Sequence, residues 1–202
     1  VPTPAPTPRF VAFEGIDGSG KSTALRHAAD ALRRRGERVW ATREETDGPT
    51  GELVRRSIAE HWPPVATAFQ FLADRARHAH EIEARLAAGE RVLCDRFLHS
   101  TLAYQAVTLA GVLPEPRAWL RGLHDGWCPM PDRVVLFNSD PAKAVSRIAA
   151  RGAATAYEKA AFLGKVRAEY LALAREEPER FVVLDADAPM GVLAQRALAA
   201  LD

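Results

Sequence analysis

Five short apolar runs punctuate the chain, at Phe10–Phe13, Val39–Thr42, Val92–Asp95, Val134–Phe137 and Phe181–Leu184. Runs of this length and character suit the strands of a parallel sheet. Between them lie longer stretches rich in Ala, Leu, Arg and Glu. These predict helices over Lys21–Arg35, Gly51–Glu60, Ala66–Ala88, His99–Ala110, Pro116–Gly122, Pro141–Ala150, Ala156–Glu176 and Met190–Ala200. Gly36, Gly89 and Gly111 stand where three of them should stop. Strand and helix alternate, so the expected fold is α/β: a doubly wound, five-stranded parallel sheet with helices on both faces. Val1–Pro8 carries proline at every second position, which excludes helix and internal strand. It reads as an extended tail on a single domain spanning 9–202.

In such a sheet ligands sit at the carboxyl ends of the strands. The first strand runs into Gly15-Ile16-Asp17-Gly18-Ser19-Gly20-Lys21-Ser22, which matches G-x-x-x-x-G-K-[ST] with a strand before it and a helix after it. Glycines let successive backbone N–H groups turn towards phosphate oxygens. The helix N-terminus adds partial positive charge. Lys21 reaches the outer phosphates of a nucleoside triphosphate, and the Ser22 hydroxyl can ligate Mg²⁺. The second strand ends at Thr42-Arg43-Glu44 and the third at Asp95-Arg96, so charged residues gather at the same edge of the sheet.

Three further constellations narrow the chemistry. Phe71 and Arg75 lie four apart on a predicted helix and share a face. A ring and a guanidinium there can stack a base and bind its edge; the same spacing also suits a core aromatic beside a surface ion pair. Asp95, at a strand end, can hold Mg²⁺ or its water, and Arg96 beside it can clamp a phosphate. Tyr104 and Gln105 follow two turns later with a ring and an amide, the latter suited to a nucleobase edge. Arg147 and Arg151 flank a small-residue stretch after the fourth strand, where they either close over a triphosphate or stand solvated at a helix end.

Composition removes other classes. The formal net charge of +1 gives no general pull towards nucleic acid or membrane, and basic residues alternate with acidic ones. Cys94 and Cys128 are the only cysteines, and Cys94 sits in an apolar run, so a reduced, cytoplasmic setting is expected. No apolar stretch approaches a membrane span, and no secretory pattern opens the chain. His78 and His80 point to different helix faces, which argues against zinc. A guanine-reading Asn-Lys-x-Asp motif is missing, which argues against a GTPase switch.

Together these segments resemble the thymidylate kinase family of P-loop nucleoside-monophosphate kinases, from about Arg9 to the C-terminus. The markers are Phe13 to Thr23, Thr42-Arg43-Glu44, Leu72-Ala73-Asp74-Arg75, Asp95-Arg96, Ser100-Thr101-Leu102-Ala103-Tyr104-Gln105, Pro131-Asp132 and Arg147 to Gly152. The resemblance implies ATP-dependent phosphorylation of a pyrimidine deoxynucleoside monophosphate, dTMP foremost, by a Mg²⁺-dependent homodimer. It implies that Gly15, Asp17, Gly18, Ser19, Gly20, Lys21, Ser22 and Thr23 hold ATP, and that Ser22 and Asp95 hold Mg²⁺. Asp17 would also meet the acceptor sugar, while Arg43, Arg96 and Ser100 would line the acceptor phosphate. Phe71 would stack on the pyrimidine with Arg75 and Gln105 at its edge, and Tyr104 would pack under the sugar. Lys21, Asp95, Arg96, Arg147 and Arg151 would be the catalytic set, the last two in a lid at about 147–158.

Two departures stand out. Some members carry an arginine inside the phosphate loop, where this chain has Gly18 and Ser19; many bacterial members have a lid arginine where this chain has Ala156. Either way the transition-state arginine must be Arg151, with Arg147 behind it. The family often reads Arg-Glu-Pro-Gly-Gly-Thr after the second strand, and here Arg43-Glu44-Glu45-Thr46 adds a carboxylate near the expected acceptor phosphate. Like charges repel, so Glu45 is expected to weaken acceptor binding or to mark a different nucleotide. A nucleotide-binding module without turnover is the remaining alternative.

Overall fold

Side chains of successive strand residues alternate between two cores, as a period of two requires. In a computed structural model of the chain, residues 7–149 and 156–202 are described. Most of the proline tail and the middle of the expected lid, including Arg151, lie outside these residues. The elements are β1 (Phe10–Gly15), α1 (Lys21–Arg34), β2 (Val39–Arg43), α2 (Pro49–Ala59), α3 (Pro64–Ala87), β3 (Arg91–Asp95) and α4 (Leu98–Leu109). They continue with α5 (Pro116–Gly122), β4 (Arg133–Asn138), α6 (Pro141–Ala149), α7 (Ala156–Glu176), β5 (Phe181–Asp185) and α8 (Met190–Ala199). The sheet is parallel throughout, in the order β2-β3-β1-β4-β5.

Phe10 and Ala12 of β1, Val92 and Cys94 of β3 and Val134 and Leu136 of β4 face a core closed by α3, α4, α5 and α7. Val11, Phe13, Leu93, Val135 and Phe137 face the opposite core, closed by α1 and α8. The three central strands are therefore covered on both sides, which explains their continuous apolar composition, while β2 and β5 at the edges stay partly exposed.

The expected elements all form, with shifted ends. Both α2 and α3 start two residues before their predicted ends, because each opens on a proline whose φ suits the first turn and whose missing N–H would have had no helical partner. Gly36 and Gly89 take the left-handed φ values of 85° and 83° after α1 and α3. Gly111 does not act this way: α4 gives out earlier, at Leu109, with Ala110 as its cap. Among the described residues no helix is long and apolar enough to cross a membrane.

The topology decides where chemistry can occur. The chain leaves β1 at the centre of the sheet, with β3 on one side and β4 on the other. Loops from β1 and β3 therefore meet over neighbouring strands, paired as far as Phe13 opposite Asp95. This is the crevice that open α/β sheets use for ligands.

Candidate active site

The phosphate loop owes its shape to two glycines. Gly18 and Gly20 sit at φ 80° and 87°, and a Cβ on Gly18 would run into the backbone carbonyl of Ala144. Gly20 caps α1 without any side-chain hydrogen bond to the first turn, so the amides there keep no internal partner. Such a helix start is an anion site. It opens into a cavity of about 320 Å³ lined by Gly18, Ser19, Gly20, Lys21, Ser22 and Thr23, with Arg147, Ala186, Ala188 and Met190 opposite. Ser19 Oγ is buried there without a hydrogen-bond partner among the described residues.

Lys21 is 6% exposed. Its Nζ stands 3.9 Å from Asp95 Oδ1, close enough for attraction but too far for a hydrogen bond. Burial, then the nearby Arg96 charge, depresses its pKa to about 8. Asp95 Oδ1 has no hydrogen-bond partner among the described residues. Asp95 and Ser22 both line a neighbouring cleft of about 560 Å³, on the α1 and β2 side. An oxygen set of one free carboxylate oxygen and one hydroxyl suits Mg²⁺ that brings phosphate and water as its other ligands. Among the described residues no three His, Cys, Asp or Glu side chains gather into a metal site of their own.

On the other side of the loop lies a cavity of about 390 Å³. Its polar wall includes Asp17, Glu45, His61, Arg96, Ser100, Tyr104 and Gln105; Phe71, Ile58, Trp62 and Phe162 supply apolar surface. Arg96 is the hub. Its Nη2 donates to Asp17 Oδ1 at 2.7 Å and to Tyr104 Oη at 3.3 Å, and its Nη1 donates to Ser100 Oγ at 3.1 Å. The guanidinium also lies 4.8 Å from the centre of the Tyr104 ring. Tyr104 Oη accepts the Asp17 N–H at 3.0 Å, which ties the phosphate loop to α4. Burial raises the Asp17 pKa, but Arg96 and Lys21 outweigh it and leave the carboxyl below its ordinary value. Arg96 adopts φ 70°, a left-handed conformation that is costly for a residue with a Cβ and recurs at functional turns. Gln105 Oε1 is buried with no partner among the described residues.

Several expected residues fall elsewhere. Arg75 does not line the cavity. It is 1% exposed, and its Nε and Nη2 donate to Glu44 Oε2 at 3.0 and 2.5 Å, while Nη2 also reaches the Phe97 carbonyl at 3.1 Å. Its Nη1 donates to His124 Nε2 at 2.9 Å. Burial and then Arg75 hold the His124 pKa down at about 4, so the neutral ring accepts there and donates Nδ1–H to the Leu120 carbonyl at 2.6 Å. Phe71 does face the cavity, so the two residues share a helix but not a site. One turn of α3 carried Arg75 inward because Glu44, at the end of β2, needed a buried countercharge. Arg43 also misses the cavity. It opens onto the Ser22 and Asp95 cleft, exposed and ion-paired with Asp47. Gly15 belongs to the end of β1 and not to the donor cavity; a Cβ on it would meet the Phe137 carbonyl oxygen at 2.6 Å.

Sequence reasoning missed Glu14, which is fully buried as the penultimate residue of β1, just before the loop. Glu14 Oε1 accepts the Phe97 and Ser100 N–H groups at 2.8 and 3.2 Å. Its Oε2 accepts the Ser100 and Tyr170 hydroxyls at 2.5 and 2.9 Å. It thereby fixes the start of α4 and, through Ser100, the Arg96 fork. A carboxylate ending an apolar strand was the available signal. Sequence reasoning also missed Asp187, after β5, which accepts from Arg147 Nη2 at 3.2 Å, Lys143 Nζ at 3.3 Å and Ser139 Oγ at 2.9 Å. Arg147 further reaches the Gly18 carbonyl at 3.4 Å and so spans the donor cavity's rim.

A sheet of this order, with a phosphate loop after its central strand and a second cavity on the far side of that loop, has the P-loop nucleotide kinase fold. A family model described as Thymidylate kinase matches residues 13–197. Relatives named "Probable thymidylate kinase" come from several organisms. That of Methanosarcina acetivorans is 42% identical over 180 residues, covering 88% of this chain and 87% of the relative. That of Methanoculleus marisnigri is 43% identical over 181 residues, 89% and 87% of the two chains. That of Natronomonas pharaonis is 41% identical over 179 residues, 88% and 89% of the two chains. The chain belongs to the thymidylate kinase family.

Proposed function

We propose that this chain transfers the γ-phosphoryl group of ATP to dTMP, giving ADP and dTDP. The observation that carries the reading is the division of one loop between two cavities: Asp17 opens into one, and Gly18 to Thr23 open into the other. A phosphoryl group held at the divide has both nucleotides within reach.

Phosphoryl transfer asks a protein for positioning and charge neutralisation, without a covalent relay. The loop amides, Lys21 and Ser19 would hold the ATP phosphates, and Arg147, tied to Asp187, would wall the nucleoside end of the donor cavity. Arg96, already fixed by Asp17, Ser100 and Tyr104, would meet the acceptor phosphate. Phe71 would stack on the pyrimidine, and the unpartnered Gln105 Oε1 would accept a base N–H. Tyr104 would pack beneath the sugar. Asp95 and Ser22 would hold Mg²⁺, which would supply positive charge to offset that of the ATP phosphates. Arg151 would complete the lid over the transferring group. Initial rates with ATP and Mg²⁺ across dTMP, dUMP, dCMP, dGMP and dAMP test the reading. dTMP is expected to be fastest; no turnover of any pyrimidine monophosphate would sink it.

The depressed Lys21 pKa gives a signed pH effect. ATP favours the ammonium form, so bound Lys21 must titrate above its free value of about 8. Between the two values binding takes up a proton. Affinity for ATP is therefore expected to be flat below pH 8 and to fall up to about tenfold per pH unit above it. Calorimetric ATP titrations from pH 7 to 9.5, in buffers of different ionisation enthalpy, would read the uptake directly.

A homodimer fits the apolar side chains left open on α2 and α3, where Leu53 is 40% and Phe69 47% exposed. Light scattering at micromolar concentration would decide it. A cytoplasmic site agrees with the buried free thiol of Cys94, whose pKa burial raises well above the ordinary thiol value.

A further inference from the structure

The acceptor cavity holds more negative than positive charge. Arg96 is the one permanent cation in its wall among the described residues, with His61 the only other basic side chain there, and Asp17 already takes Arg96 at 2.7 Å. The second carboxylate there, Glu45, is half-buried; beyond its own backbone N–H it makes no hydrogen bond or ion pair to another residue among the described residues. Of the two arginines whose charges act most on Glu45, Arg96 is held by Asp17 and Arg55 donates to the Thr46 carbonyl at 2.8 Å; Arg43 pairs with Asp47 outside the cavity. The backbone around Glu45 is held firmly. Glu44 is locked to Arg75 and His78, and Thr46 donates its N–H and Oγ1–H to Asp74 at 2.8 and 2.5 Å. Glu45 therefore cannot retreat by a local backbone shift.

From this geometry we infer that Glu45 is a specificity-determining residue that grades acceptor-site ligands by their phosphate charge. Its repulsion is absent for a nucleoside, moderate for the monophosphate and largest for the diphosphate product. Discrimination can come from a repulsive group as readily as from an attractive one. The gain for a kinase is release: transfer adds negative charge to the occupant of this cavity, and Glu45 works against keeping it. The inference rests on the reading of this cavity as the dTMP site.

The test is a ligand series, measured on the full chain and on Glu45→Gln and Glu45→Ala. Thymidine and dTMP are titrated by calorimetry, and dTDP is measured as an inhibitor competitive with dTMP. Both variants are expected to leave thymidine affinity unchanged. They should tighten dTMP about three- to tenfold and dTDP by a larger factor, as Coulomb repulsion between partly screened charges scales. The gains should shrink as salt is raised from 50 to 500 mM. kcat should fall as KM for dTMP falls, because product leaves more slowly. Unchanged or weakened dTMP binding in both variants overturns the inference, as does an equal shift for thymidine and dTMP. Loss of thymidine binding in both variants also overturns it, since Glu45 would then be structural. Failure of the wild-type chain to phosphorylate dTMP is a separate result and counts against the parent reading.

Discussion

Replacing Lys21 by Met is expected to lower kcat by about 10²–10³-fold while making the folded chain more stable. The first effect follows from position. Lys21 is the buried cation at the start of α1, inside the donor cavity, and losing one preorganised charge-stabilising group costs about 10²–10³ in turnover. Met keeps the length of the stem, so the cavity stays filled. The second effect follows from the sign of its shift. A lysine pKa lowered from 10.5 to about 8 means that the empty protein holds the ammonium at a penalty. Below pH 8 both folded and unfolded chains are protonated and the penalty is fully present. Between pH 8 and 10.5 the unfolded chain binds more protons, so stability rises with pH. The variant should therefore unfold at higher urea than wild type at pH 7, with the gap closing towards pH 10.5. Urea titrations at pH 7 and 9.5, beside steady-state kinetics, check both halves. Lower stability in the variant at pH 7 would contradict the assignment of Lys21 as a desolvated charge.

Arg75→Leu is expected to destabilise the fold by about 3–5 kcal/mol, the usual consequence of leaving a buried countercharge without its partner. Glu44 would be stranded beneath the sheet edge with only His78 Nδ1 at 3.1 Å, and the Phe97 carbonyl and His124 Nε2 would each lose a donor. The loop that carries Glu45 hangs from this pair, so acceptor binding should weaken as well. Arg75→Lys restores charge but not the fork, and should recover only part of the loss. A double substitution, Arg75→Leu with Glu44→Gln, should be less damaging than the sum of the single ones, because the stranded charge goes with its partner. The expectation from the sequence was different: Arg75 at the base edge beside Phe71. An Arg75→Leu variant of wild-type stability that loses dTMP affinity, but keeps ATP affinity, would restore that earlier role.

The contrast between Phe71 and Arg75 shows why a site is only partly legible in a sequence. Spacing of four residues puts both on one side of α3, yet a helix face is about 100° wide and can straddle a cavity wall and a core. Which of the two faces the cavity depends on where β2 ends and what Glu44 needs. Arg43 failed for a related reason. It closes an edge strand, β2, and its long side chain turns outward to Asp47, four residues on. The acid that organises α4, Glu14, looked like the tail of an apolar strand. Its four hydrogen-bond donors come from Phe97, Ser100 and Tyr170, which lie 83 to 156 residues away in the chain. Local pattern carries no trace of such partners. The apolar cavity wall of Ile58, Trp62 and Phe162 is equally silent, since apolar residues on amphipathic helices read the same whether they face a core or a ligand.

The sequence alone determined the parts governed by short-range rules. Strand and helix periods set the α/β alternation and the five-stranded sheet. Glycine placement and the Lys-Ser pair set the phosphate loop, because backbone conformation and helix-terminal amides are properties of a few adjacent residues. Tertiary structure alone decided how charge is shared out. It put Arg96 between Asp17 and Ser100, buried Arg75 under Glu44, turned Arg43 away, and left Glu45 facing the acceptor cavity with no partner among the described residues. Electrostatic pairing acts through space at a few ångströms, and pairs such as Asp17–Arg96 and Glu44–Arg75 are brought together by the fold across 79 and 31 residues of chain.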